Sequence, residues 1–396
     1  MPPIPAKVLT LLLPVVLLVA GTALAAPRQP ASDAEVLERL PARALDPRQR
    51  DMGELRRQLI ARPNDLDLAL RLAKSYHAEV AAEGDPRYIG YAQAALAPWW
   101  NLPDPPQRAR VMRAILLQFN HQFDAAMADL QAATKAKPDD DEAWAWLAAI
   151  AMVRGDYALA RDACARLAPQ ATPVITAGCR AHVDATTGHA AAAADALRAA
   201  LRDDPRADAG ERLWALTRLA EIEQRRGQDA AAEAAYREAL ALGITDGYLL
   251  AAYADLLLDQ GRATEVLALL QGRERSDLLL LRLALAAKAS ADQRQGHWQR
   301  DLAARFDAAR LRGDTVHQKE ESRFALQLLG DAPRALALAR ENYAVQREPS
   351  DARILLEAAL ATRQAEAATP VRDWMKSSRI ESVVLQALAQ KLWGGS

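Results

Sequence analysis

Cysteine is nearly missing from this chain of 396 residues, which has only Cys164 and Cys179, and aromatic residues make up 5% of it. Neither CxxC spacing nor a cysteine-based zinc pattern can be drawn from two cysteines fifteen residues apart, which excludes the common thiol redox motif. Aromatic and β-branched residues are sparse past residue 50, so strands have little support. Charge of one sign is lacking too, with 50 basic against 51 acidic residues. A near-neutral surface gives no general electrostatic reason to bind nucleic acid or anionic lipid. Glycine-rich phosphate loops, HExxH and GxSxG are all missing.

Long apolar runs are missing as well, except at the start. "MPPIPAKVLTLLLPVVLLVAGTALAAPRQP" places one charge, Lys7, before an apolar run from Val8 to Ala20, then Ala23-Leu24-Ala25 and a polar, proline-bearing segment. This is the layout of a secretory signal peptide over residues 1–25, cleaved after Ala25. The alternative is an uncleaved inner-membrane anchor, which Pro14, Gly21 and Thr22 weaken. No later segment is long and apolar enough to span a membrane. The expected location is export to the periplasm. Residues 26–50, with Pro27, Pro30, Pro41 and Pro47, read as an extended lead-in.

What remains, residues 51–396, is rich in strong helix formers. Polar or glycine-bearing turns recur at Gly84, His121, Gly155, Gly188, Gly227, Gly261, Gly296, Gly330 and Gln364, mostly 33 to 35 residues apart. Their surroundings recur with them. Five residues on stand Ala126, Ala160, Ala193, Ala232 and Ala335, with Val266 departing mildly. Nine residues on stand Leu130, Cys164, Leu197, Tyr236 and Leu270; seven residues before stand Ala114, Ala148, Ala181, Ala220 and Ala254. Small residues at these places let two helices approach closely while larger ones fill the seam.

The unit "DEAWAWLAAIAMVRGDYALARDACARLAP", through Trp144, Leu147, Ala148, Gly155, Tyr157 and Ala160, resembles a tetratricopeptide repeat (TPR), and Leu219, Ala220, Gly227, Ala232, Tyr236 and Ala239 repeat the match. The resemblance covers residues 65–375, most strongly 105–270, and is similar to exported bacterial members. It implies an all-α, right-handed superhelical solenoid of about eight to nine TPR-like helical hairpins with polar capping helices at both ends. It also implies that the first helix of each hairpin lines a concave groove. In that register the groove residues are Ile175 and His182, then Trp214, Thr217, Glu221, Gln224 and Arg225, then Tyr248, Asp255 and Asp259. The alternative for each is a merely solvated face. Members that clamp a terminal carboxylate present Lys, Asn and Arg there, whereas two early units of this chain present Val111, Ile115, Ala145 and Ala149.

The expected function is therefore a non-catalytic scaffold in the bacterial cell envelope, holding an unidentified protein partner as a peptide or helix in the groove and supporting envelope assembly, secretion or transport. The alternatives are a structural protein acting by self-association and a substrate-recognising solenoid with unrecognised enzymatic activity. No catalytic residue, cofactor or metal site is read from the residues. His182, Asp184 and His189 form the one tight cluster of potential ligands, but a turn at Gly188 separates the two rings. Trp144, Trp146 and Trp298 read as packing between hairpins, and Trp99-Trp100 as an anchor of the proline loop after them or an exposed aromatic patch. Cys164 falls on a second helix and Cys179 on the next first helix, equidistant from the loop "APQATP". An oxidising compartment would join them as a disulfide; two free buried thiols are the alternative.

Overall fold

The structure, a computed structural model, describes residues 47–394. Residues 1–25, read as a signal peptide, and most of the segment read as a lead-in lie outside the described residues. The chain forms two units, Met1–Arg48 and Gln49–Ser396; only the last residues of the first are described, and the account below concerns the second. The first helix begins at Pro47, inside the segment read as lead-in, because its proline sits at the start of a helix where no N–H is needed.

After α1 (Pro47–Ala61) come nine helix pairs joined by short turns. They are α2 (Leu66–Glu83) with α3 (Arg87–Ala95) and its one-turn continuation α4 (Ala97–Trp100), α5 (Gln107–Phe119) with α6 (Phe123–Ala136), and α7 (Asp141–Arg154) with α8 (Tyr157–Leu167). Next are α9 (Pro173–Thr186) with α10 (Ala190–Asp203), α11 (Ala209–Arg225) with α12 (Asp229–Ala241), and α13 (Gly247–Asp259) with α14 (Ala263–Leu269). The last are α15 (Asp277–Ala289) with α16 (Gln295–Leu311), α17 (Gln318–Phe324) with α18 (Ala332–Val345), and α19 (Pro349–Thr362) with α20 (Thr369–Ser378); α21 (Val383–Trp393) packs on α19. No strand occurs among the described residues. The fold is an all-α solenoid of TPR-like hairpins.

The turns stand where the period puts them. Gly84, His121, Gly155, Gly188, Gly227, Gly261 and Gly330 all have positive φ. At Gly155, φ is +77° and the next residue, Asp156, caps α8 by accepting from the Leu159 N–H at 3.0 Å, so one dipeptide ends a helix and starts the next. Gly296 departs from the expectation. It lies in the first turn of α16, because Asp292 closes the preceding turn on the Arg294 N–H at 2.9 Å and Ala291 takes the left-handed position. The recurring alanines are buried, and so are Leu130, Cys164, Leu197, Tyr236 and Leu270 nine residues past their turns. Among the tryptophans, Trp298 is buried, whereas Trp144 and Trp146 are only half-buried.

Cys164 and Cys179 are bonded, with Cα atoms 5.7 Å apart, and join α8 to α9 across the hairpin boundary. That separation falls at the centre of the disulfide range.

The solenoid also coils back upon itself. The Arg347 N–H donates to the Val153 carbonyl at 2.8 Å, and Arg154 Nη1 to the Val345 carbonyl at 3.0 Å, 191 residues away in sequence. Gln346 Nε2 lies 3.1 Å from the His121 ring, and Trp374 Nε1 donates to the Tyr157 hydroxyl at 2.6 Å. The turns at Gly84, Gly188 and Gly227 meet Ser276, Arg379 and Val383. Late hairpins therefore pack against the turn edge and concave side of early ones.

Candidate functional site

Coiling leaves a lumen of about 240 Å³ on the concave side. It is walled by the first helices of six consecutive hairpins, α9, α11, α13, α15, α17 and α19, with Tyr236 of α12 and residues 382–385 completing it. First helices face inward because their small residues, such as Ala220 and Ala254, pack on the second helices and leave the longer polar residues on the opposite side.

Seven of the ten groove residues read from sequence line this one cavity: His182, Glu221, Gln224, Arg225, Tyr248, Asp255 and Asp259. The other three are placed elsewhere. Thr217 is buried and donates to the Leu213 carbonyl at 2.7 Å. The Trp214 ring packs on Gly178, where a Cβ would stand 2.2 Å from it, so the indole is a wedge between α9 and α11. Ile175 is half-buried against the same apolar cluster as Trp214. The histidine cluster is divided too: His182 lines the lumen, while Asp184 and His189 line a separate groove. No group of three potential metal ligands occurs among the described residues.

The lumen is crossed by ion pairs that tie distant hairpins together. Asp255 of α13 accepts from Arg282 of α15 at 2.7 Å and from Arg323 of α17 at 2.6 Å. Burial pushes the Asp255 carboxyl up, but the two guanidinium groups outweigh it and hold the acid well below the usual carboxylate range. Arg353 of α19 grips Asp259 through two bonds of 2.7 Å and reaches Glu357 at 2.7 Å. Arg218 lies 3.0 Å from Glu221, with its guanidinium 4.9 Å from the Tyr248 ring centre, and the Tyr248 hydroxyl also donates to Glu221. Tyr248 is 44% exposed, yet burial is the largest cause of its raised pKa; that exposed surface faces the lumen rather than open solvent. Burial, then Arg218 and Arg225, depress the His182 imidazole well below its ordinary range, so it is neutral.

Arg218, Arg282, Lys319, Arg323, Glu348 and Arg353 also line the lumen and were not among the groove residues read from sequence. One signal existed: Asp255 and Arg323 are 68 residues apart, two repeat lengths. The arrangement suits recognition of charged and hydrogen-bonding groups in a partly desolvated chamber.

No family model and no curated protein matches the chain. Among solved structures, a chain of the APC/C hetero-tetramer Cut9–Hcn1 is 11% identical, with a TM-score of 0.49 over 83% of this chain and 64% of that one. This chain thus spans under two thirds of that protein's length. The P58(IPK) TPR domain is 14% identical, with a TM-score of 0.20 over 80% of this chain and 93% of that one. The helix pairing and the buried positions of the repeat, not these likenesses, establish the TPR-like form.

Proposed function

We infer that this solenoid of TPR-like hairpins is a non-catalytic protein-interaction scaffold, exported to the bacterial cell envelope, whose partner engages the concave side and which supports envelope assembly, secretion or transport. The observation that carries the reading is the convergence of seven groove residues, from three hairpins, on one lumen. Late hairpins already fill much of the groove, and a helix with its side chains is about 10–12 Å across. A partner therefore inserts a short extended segment rather than a helix. Export is supported by the three-part N-terminal layout and by a disulfide that suits an oxidising compartment.

Site-specific photo-crosslinking tests this in the native host. A crosslinker at position 248 should trap a discrete partner, and joint charge reversal at Glu221 and Arg225 should abolish trapping with helicity unchanged. Asp255 is left intact in that variant, because it braces three helices. Unchanged trapping moves the partner off the lumen. Mass measurement of the purified chain decides the leader: loss of residues 1–25 is expected, and an intact N-terminus in the membrane fraction favours the anchor.

A further inference from the structure

At the α11 end of the lumen two guanidinium groups, Arg218 and Arg225, keep donors that no carboxylate is bonded to. Elsewhere Asp255 is engaged by Arg282 and Arg323, and Asp259 and Glu357 by Arg353, while Glu320 and Glu348, which also line the lumen, stand in no ion pair among the described residues. The one carboxylate of α11 that lines the lumen, Glu221, is held by Arg218 and Tyr248. Among the described residues Arg225 has no carboxylate within salt-bridge distance, its one hydrogen bond is Nη1 to Thr186 Oγ1 at 3.4 Å, and its Nε is buried without a partner, as is Arg218 Nε. The Gln224 amide accepts from Tyr236 at 3.1 Å, and its nitrogen has no acceptor among the described residues. The His182 ring has no hydrogen-bond partner among them either, and it is neutral, so it can donate one bond.

Buried guanidinium groups with orphaned donors are costly unless an anion answers them. These donors share one chamber of about 240 Å³, below the ~300–1,000 Å³ of sites for drug-sized ligands. We propose that the lumen is a binding site for a small, free oxyanionic molecule, a carboxylate or phosphate of metabolite size, held at the α11 wall by Arg225 with Gln224 and His182. Planar guanidinium donors suit both oxyanions. The inference rests on reading the lumen as a recognition site, but on no partner protein.

Isothermal titration of the exported chain with inorganic phosphate and with succinate tests it, with no partner present, so its failure and a failure of crosslinking are separate results. One-site binding to at least one probe is expected. Affinity should fall about tenfold or more in Arg225→Gln, as loss of a charged hydrogen bond implies. It should fall likewise in Thr186→Asp, which keeps Arg225 and sets a carboxylate beside it. Arg262→Gln, at an ion pair away from the lumen, should bind as wild type. If Arg225→Gln fails to fold, Thr186→Asp decides, and its unliganded melting midpoint should not fall. No saturable heat with either probe, or unchanged affinity in the folded variants, overturns the proposal. So does binding of a tripeptide with a free carboxylate when phosphate and succinate give none, which assigns the site to a polypeptide end.

Discussion

Two kinds of contact hold this solenoid, and they differ in chemistry as much as in range. Neighbouring helices meet through small and apolar residues: Ala148, Ala220, Ala232 and Ala254 admit the backbone, and Leu130, Leu197, Tyr236 and Leu270 fill the gap, all of them buried. Hairpins far apart in sequence share some apolar contact, as at Val345 and Tyr157, but add polar bonds: Arg154–Val345, Trp374–Tyr157, Arg323–Asp255 and Arg353–Asp259. Apolar packing is non-directional and repeats cheaply from unit to unit. Polar contacts are directional, so they fix how far the coil winds and where a late hairpin docks. The first kind makes a stack, and the second helps to wind that stack around a lumen.

Breaking the first kind should cost most. Tyr236 is fully buried and stacks 5.5 Å from Tyr253, so Tyr236→Ala should lower unfolding free energy by about 3–5 kcal/mol, as for other buried aromatics. Tyr236→Phe loses only the bond to Gln224 and should cost about 1 kcal/mol; urea denaturation measures both. At the lumen, Asp255→Asn leaves Arg282 and Arg323 buried and unanswered, at about 3 kcal/mol. Hydrogen exchange should then accelerate in α17 before α11. Equal acceleration in both helices would erase the distinction between stack and closure. Cys164→Ser with Cys179→Ser opens a fifteen-residue loop and should cost about 2–3 kcal/mol, with exchange rising only at α8 and α9.

The same contrast decides what could be read in the sequence. The stack is legible because each unit repeats one local solution, so alanines at fixed offsets and left-handed turns from Gly84 to Gly330 reveal it. Groove residues on α9, α11 and α13 follow from that register. Trp214 and Thr217 share the face but not the fate: the indole finds Gly178 beside it, and the threonine hydroxyl bonds back to its own helix. Arg323, Lys319 and Arg353 reach the lumen only because the coil closes, and winding depends on small rotations accumulated over many hairpins. No local pattern encodes that sum. Gly296 misleads for the opposite reason, since Asp292 closes the turn before the glycine is reached.

Acid offers the smallest and most selective way to separate the two kinds of contact. His121 stacks on Phe123 and meets Gln346 across the coil at 3.1 Å. Burial, then Lys319, pulls its imidazole from the ordinary 6.5 to about 4, with Glu320 partly opposing. A depressed pKa means the folded protein favours the neutral ring, so its contribution is full above pH 6.5 and is lost as pH falls toward 4. A shift of that direction and size, discounted for partial exposure, amounts to about 2 kcal/mol. His182, also depressed by burial, adds to the slope in the same sense. His121→Asn keeps a residue that tolerates the left-handed turn at φ +55° but cannot titrate, so its stability should fall less between pH 7 and 4.5 than that of the wild type. Melting midpoints across that range read the difference, and hydrogen exchange at α18 should report the acid loss before α5 does, because the ring guards a contact between distant hairpins rather than the stack in which it sits.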